Sequence, residues 1–151
     1  MVSVIFPAAG AGRRMKADRN KVFLELSGVP ILLRTLRRFS AVPAVAELIV
    51  VVAKDEVAFV EEMLKPWRVA QGGAERQYSI ANGMAHLAAD ADIVLVHDAA
   101  RPLVSLAAIE AVIAAAREKG AAIAAVRAKN TIKVVGENGR VEATPSRASL
   151  W

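Results

Sequence analysis

Three short apolar runs limit most tightly what this chain can fold into: Val2-Ser-Val-Ile-Phe6, Glu47-Leu-Ile-Val-Val-Val-Ala53 and Asp92-Ile-Val-Leu-Val-His97. A fourth, Ala121 to Val126, has the same character. All are continuous rather than alternating, so side chains on both faces need apolar cover, as in a sheet with helices on either side. Between them lie segments of helical length and period: Ile31 to Phe39, Asp55 to Leu64, Glu75 to Ala88 and Leu106 to Lys119. Ser105 is placed to N-cap the last, and Gly120 to stop it. Strand–helix alternation of this kind predicts an α/β fold with a doubly wound, mainly parallel, Rossmann-like sheet.

The pattern changes after Val126. Thr131 to Val135, the turn Gly136-Glu-Asn-Gly139 and Arg140 to Ala143 alternate charged and apolar residues, which predicts a β-hairpin with an Asn-Gly turn. We expect it to protrude as an arm over residues 127–147 of one domain spanning 1–151. The arm either lies on the body or reaches a second subunit. The sequence stops on Leu150 and Trp151, where a terminus is usually polar and frayed. The expectation is a domain incomplete at its C-terminal side.

Composition removes several chemistries. With no cysteine there are no disulfides, thiolate metal sites or cysteine nucleophiles. Two histidines, His86 and His97, are too few for a histidine-built zinc site. No run nears the roughly 18 apolar residues of a membrane span, and no secretory signal opens the chain. The expected setting is the cytoplasm of a bacterium, with no membrane partner. Aromatic residues at 5% leave little for base stacking, so no nucleic-acid partner is expected. The net charge of +5 says less than its placement. Arg13, Arg14, Lys16, Arg19 and Lys21 crowd one glycine-containing loop against a single Asp18, and that points to phosphate.

That loop is Pro7-Ala-Ala-Gly10-Ala-Gly12-Arg13-Arg14-Met15, directly after the first strand, where open α/β sheets bind ligands. Gly10 and Gly12 leave amide N–H groups free to face phosphate oxygens. The spacing matches neither the dinucleotide fingerprint nor a Walker A loop. A second constellation, His97-Asp98-Ala-Ala-Arg101-Pro102, follows the third strand. Asp98 there is either a Mg²⁺ ligand facing phosphates or half of an Asp–Arg pair that orders a turn. Arg101 can hold phosphate bidentately. His97 reads as a packed, hydrogen-bonded histidine, and His86 as a helix-face residue. A third segment, Gln71-Gly-Gly73-Ala74-Glu75-Arg76-Gln77-Tyr78-Ser79, opens a helix. It either receives a base, ribose or phosphate or is a plain glycine turn. Thr131, Lys133 and Arg147 on the arm read as solvated unless a phosphorylated partner meets them.

In combination and in order, these segments resemble the 2-C-methyl-D-erythritol 4-phosphate cytidylyltransferases of the non-mevalonate isoprenoid route. The opening loop, Gly72-Gly-Ala-Glu-Arg76 with Ser79, Val96-His-Asp-Ala-Ala-Arg-Pro102, Val126 to Lys133 and Arg147 to Trp151 carry the likeness. The resemblance implies the nucleotide-diphospho-sugar transferase type of fold, and cytidylyl transfer from CTP to the sugar-alcohol phosphate with release of pyrophosphate. It implies CTP binding by Ala8, Ala9, Gly10, Gly12, Gly73, Ala74, Arg76, Ser79 and Asp98. Arg14 and Lys21 are implied as the catalytic cations at the α-phosphate, and Asp98 as the ligand of Mg²⁺ or another divalent cation. Arg101, Thr131 and Arg147 are implied to receive the substrate phosphate. A homodimer through the arm is implied, with Thr131 and Arg147 serving the neighbouring subunit.

Three departures stand against the family pattern. Asn20 precedes Lys21 where proline is usual, and Ala74 replaces an acidic residue that can touch ribose. The family also continues beyond the segment matched at Trp151, with a further metal-binding aspartate and a substrate lysine. The 151 residues alone are therefore expected not to be a complete catalyst. The rival enzyme reading is a ribitol 5-phosphate cytidylyltransferase, and the rival of another class is a non-catalytic nucleotide-binding or interaction module.

Overall fold

In the computed structural model, which describes residues 1–10 and 20–151, the first two apolar runs form the middle of a four-stranded parallel sheet and the third flanks them. Its strands are β1 (Val2–Pro7), β4 (Val45–Val52), β5 (Arg68–Gln71) and β6 (Ile93–Val96), ordered β5-β4-β1-β6. A small hairpin, β2 (Glu25–Leu26) with β3 (Val29–Pro30), follows β1. The helices are α1 (Ile31–Ser40), α2 (Val57–Leu64), α3 (Arg76–Met84) and α4 (Leu106–Lys119). Residue-by-residue pairing of β1 runs Ile5 to Ile49 on one side and Ile5 to Val96 on the other. The parallel α/β expectation holds.

Two apolar layers explain why the runs do not alternate. Val2, Val4 and Phe6 share one face with Val50 and Val52, packed against Leu32, Leu36 and Phe39 of α1, Val60 and Leu64 of α2 and Ile109 and Ile113 of α4. Ile5, Ile49 and Val51 point the other way, with Ala70. Helix α3 covers that second face. A Cβ at Gly83 would stand 2.8 Å from Ile5 Cγ2 and 3.0 Å from Val51 Cγ2, so glycine lets α3 lie directly on the sheet. Each fully buried leucine or phenylalanine contributes about 1.5–3 kcal/mol, and the central strands concentrate that gain.

Helix α4 has the ends expected of it. Ser105 Oγ accepts from Ala108 N at 3.2 Å, and Gly120 closes it at φ 85°, where a side chain would be strained. The third helix is shorter than the expected Glu75 to Ala88. It ends at Met84, after the weak helix formers Asn82 and Gly83, so His86 lies in the following turn with Nδ1 2.9 Å from Asn82 O.

Some elements were not foreseen. Strand β5, Arg-Val-Ala-Gln, has too few apolar residues to stand out, yet it pairs in parallel with β4. The β2–β3 turn uses Ser27 and Gly28, both at positive φ, which is the I′ hairpin geometry. One expected strand is absent: Ala121 to Val126 joins no ladder, and Ile123 and Val126 are 86% and 79% exposed. The run is mostly alanine, which gives a pleated neighbour little to pack against.

Residues Met1–Ala121 and Ala122–Trp151 form two compact units. Within the second, β7 (Val134–Val135) pairs antiparallel with β8 (Val141–Ala143), so the expected hairpin exists with shorter strands. Its loop closes by Gly139 N donating to Gly136 O at 2.9 Å and Gly136 N to Arg140 O at 3.0 Å. Among these loop residues only Gly139 has positive φ, so this is a longer turn with a left-handed glycine, not a two-residue Asn-Gly turn. Arg147 Nη1 donates to Lys129 O at 2.6 Å, and the Arg127 guanidinium lies 4.6 Å from the Trp151 ring centre.

Candidate functional site

The order of the sheet dictates where a ligand can sit. From β1 the chain moves outward to β4 and β5, then returns to the opposite side of β1 to place β6. At such a reversal the loops leaving neighbouring strands part and open a crevice at their carboxyl ends. A cleft of about 760 Å³ occupies that place, lined from the end of β1, the Lys21 turn, the start of α3 and the loop after β6. Ala8, Ala9, Gly10, Lys21, Gly73, Ala74, Arg76, Ser79, Asp98 and Arg101 all line it. Gly12 and Arg14 lie outside the described residues. Thr131 and Arg147 belong to the second unit, where both are exposed.

Buried groups hold the loop after β6. Thr35, fully buried on α1, donates its hydroxyl to Ala99 O at 2.8 Å. His97 Nε2 lies 3.2 Å from Arg101 O, so that nitrogen carries the proton. The His97 ring sits 4.7 Å from the Phe39 centroid and 6.2 Å from that of Phe6. Burial pushes its pKa below the ordinary histidine value, against the hydrogen bond to Arg101 O and the charge of Asp98. His97 is thus the packed, hydrogen-bonded histidine foreseen, and it spans the loop that displays Asp98.

Of the two readings left open for Asp98, the Asp–Arg pair is the one seen directly. Asp98 Oδ1 accepts from Arg76 Nη2 and its Oδ2 from Arg101 Nε, each at 2.8 Å. Burial works to raise the carboxyl's pKa, but the Arg101 hydrogen bond and the Arg76 and Arg101 charges outweigh it and hold the pKa below the usual range. The turn-ordering pair is therefore real, and it extends to a second arginine across the cleft. A Mg²⁺ ion needs one or two carboxylates and takes its remaining ligands from phosphates and water. Among the described residues no three His, Asp or Glu side chains converge as a ready-made metal cage. Asp98, partly exposed and lining the cleft, offers the single carboxylate that such an ion would require of the protein.

The glycine turn before α3 has a steric reason. A Cβ at Gly72 would lie 2.4 Å from Ala9 Cβ, and one at Gly73 would lie 2.4 Å from Tyr78 Cβ. Glycine is what lets this turn press against the end of β1. Ser79, only 3% exposed, receives Gly73 N at 3.1 Å and sits 3.2 Å from Glu75 O, so it shapes the turn from within. The sequence reading missed Glu75, Val22 and the paired alanines Ala99 and Ala100 as cleft lining. It noted Asn20 only as a departure, although an Asn before a short helical turn is an N-cap signal.

Fold and cleft together define a doubly wound α/β protein with its ligand site at the point where the strand order reverses. The sequence comparison is narrower. The chain belongs to the 2-C-methyl-D-erythritol 4-phosphate cytidylyltransferase (IspD) family, whose profile matches residues 2–151. It is 47% identical over 152 residues to the protein of that name from Symbiobacterium thermophilum, covering 99% of this chain and 64% of that one. The Bacillus pumilus protein is 45% identical over 154 residues, with 98% and 66% covered. The crystal structure of 4-diphosphocytidyl-2C-methyl-D-erythritol synthase from Anaerococcus prevotii superposes with a TM-score of 0.86 at 29% identity, over 99% of this chain and 66% of that one. This chain therefore spans about two thirds of the length of these relatives (64% and 66%).

Proposed function

We propose that this protein carries the nucleotide half of a cytidylyltransferase that joins CTP to 2-C-methyl-D-erythritol 4-phosphate, giving 4-CDP-2-C-methyl-D-erythritol and pyrophosphate. The observation that carries the reading is the convergence of Lys21, Arg76, Asp98 and Arg101 on one cleft at the sheet's carboxyl edge. The relatives that bear the cytidylyltransferase name support it.

In this reading the substrate phosphate oxygen attacks the α-phosphorus of CTP and the bond to pyrophosphate breaks. A phosphate nucleophile is ionised near neutral pH, so the chain needs no general base, which suits a neutral His97. Lys21, with Arg14, stabilises charge on the α-phosphate as the bond order changes. Ala8, Ala9, Gly10, Gly12, Gly73, Ala74 and Ser79 present backbone and small side chains that admit the nucleotide closely. Asp98 would hold Mg²⁺ against the phosphates, and the ion would supply charge neutralisation of the leaving pyrophosphate. Arg76 and Arg101, released from Asp98 as phosphate arrives, become anion ligands. Arg101, Thr131 and Arg147 receive the substrate phosphate, the last two from a neighbouring subunit through the arm at 127–147.

The test is pyrophosphate release from CTP and Mg²⁺ in a chain of the relatives' length. Release on adding 2-C-methyl-D-erythritol 4-phosphate is the expected result. Release only with ribitol 5-phosphate would overturn the substrate, and none with either would overturn the transferase.

A further inference from the structure

Lys21 opens a single 3-10 turn, Lys21–Phe23, and one side chain ties that turn to the rest of the cleft. Asn20 Nδ2 donates to Ala8 O at 2.7 Å, where the chain leaves β1 for the glycine loop. The same amide nitrogen lies 3.4 Å from Glu56 Oε2, which also accepts from Ala53 N at 3.2 Å in the turn after β4. Asn20 Oδ1 receives Val22 N at 3.4 Å and so caps the turn itself. Ala8 is in turn fixed to the sheet, its N–H donating to Val51 O at 2.7 Å. One amide thus joins the ends of two adjacent central strands to the turn that displays a lysine into the cleft.

The choice of side chain is chemically narrow. The task needs two N–H donors, for a carbonyl and a carboxylate, and one acceptor for a backbone amide, within one short side chain. Aspartate has the shape but no donor, and would set a second anion against Glu56. Alanine or serine would not reach both partners. We propose that Asn20 is a positioning residue: it fixes the Lys21 ammonium relative to the carboxyl end of β1, so that the lysine meets a phosphate of the bound ligand without a search. This rests on the reading of the cleft as a triphosphate site, and it adds a residue of the cleft lining that acts through Lys21.

The experiment is calorimetric titration of the 151-residue chain with two probes, inorganic tripolyphosphate and CTP, each with Mg²⁺. Asn20→Ala is expected to weaken tripolyphosphate binding about tenfold, and Asn20→Asp to weaken it further. Glu56→Gln, which can donate to the new carboxylate, should recover part of the Asn20→Asp loss. The decisive variant is Asn20→Ala combined with Lys21→Ala, which should bind no worse than Lys21→Ala alone. Full additivity, or an Asn20→Ala affinity within twofold of the parent, overturns the proposal. Thermal melts check that the variants remain folded, and the Glu56→Gln recovery cannot come from a misfolded chain. A parent that binds tripolyphosphate with these effects but does not favour CTP refutes the cytidylyl reading and leaves the positioning role standing. A parent that binds neither probe contradicts both.

Discussion

The two units of this chain are built on opposite principles. In Met1–Ala121 the central strands are buried from Val2 to Phe6 and from Leu48 to Val52, and the described polar groups that do go inside, Ser3, Thr35 and Ser79, all find partners. In Ala122–Trp151 no residue is buried. Val134, Val135, Val141 and Trp151 are 44%, 54%, 57% and 67% exposed, and the order comes from a hairpin ladder, a cation over a ring and an arginine on a carbonyl. The first unit carries its own reason to fold and holds every described residue of the cleft. The second has strand-forming side chains and no core to put them in. A site that needs rigid placement of charges belongs on the first kind of structure.

The sharpest way to break this contrast is in the core. Leu36→Ala, at a fully buried position of α1, should cost about 2–5 kcal/mol in chemical denaturation, because a cavity remains where the leucine touched the sheet. Next in size is the cleft. Lys21→Ala should lower turnover at least about 100-fold in a chain of the relatives' length, while Arg147→Ala should leave CTP affinity unchanged and raise the KM for the sugar-alcohol phosphate. Equal effects of both on CTP would erase the division between the units.

Asp98→Asn gives a smaller effect with a signature in pH. The folded carboxyl titrates below its unfolded value of about 3.9, so its ion pairs stabilise the fold above that pH and fade as pH falls through the depressed value. With the group partly exposed, the loss at pH 7 should be about 1 kcal/mol or less. Parent and variant should converge in stability once the pH lies below that depressed value. Smallest of all, Val135→Ser in the hairpin should stay within about 0.5 kcal/mol of the parent, since more than half of the residue is already exposed.

How much was legible follows the same division. Ile5, Ile49 and Val51 announce a sheet covered on both faces because burial on both sides leaves no position free to be polar. Ser105 and Gly120 mark the ends of α4 because caps are local. The loops after β1 and β6 could be placed at one cleft because parallel order brings their carboxyl ends together. Strand β5 escaped notice since an edge strand needs little apolar content, and Ala121 to Val126 was misread because a ladder requires a neighbour that no local pattern specifies. The double pairing of Asp98 was only half visible. Arg101 is three residues away in the same loop, but Arg76 reaches it from the start of α3. The bridge from Asn20 to Ala8 and Glu56 likewise depends on strand ends meeting in space.

The central claim is that the first unit alone forms the nucleotide cleft. Amide chemical-shift mapping of the whole chain during titration with CTP and Mg²⁺ tests it most directly. The account predicts shifts at Ala8 to Gly10, Lys21 and Val22, Gly73 to Ser79 and Asp98 to Arg101, with residues 122–151 unmoved until 2-C-methyl-D-erythritol 4-phosphate is added. Shifts centred on Thr131 and Arg147 with CTP alone, or none at the cleft, would contradict it.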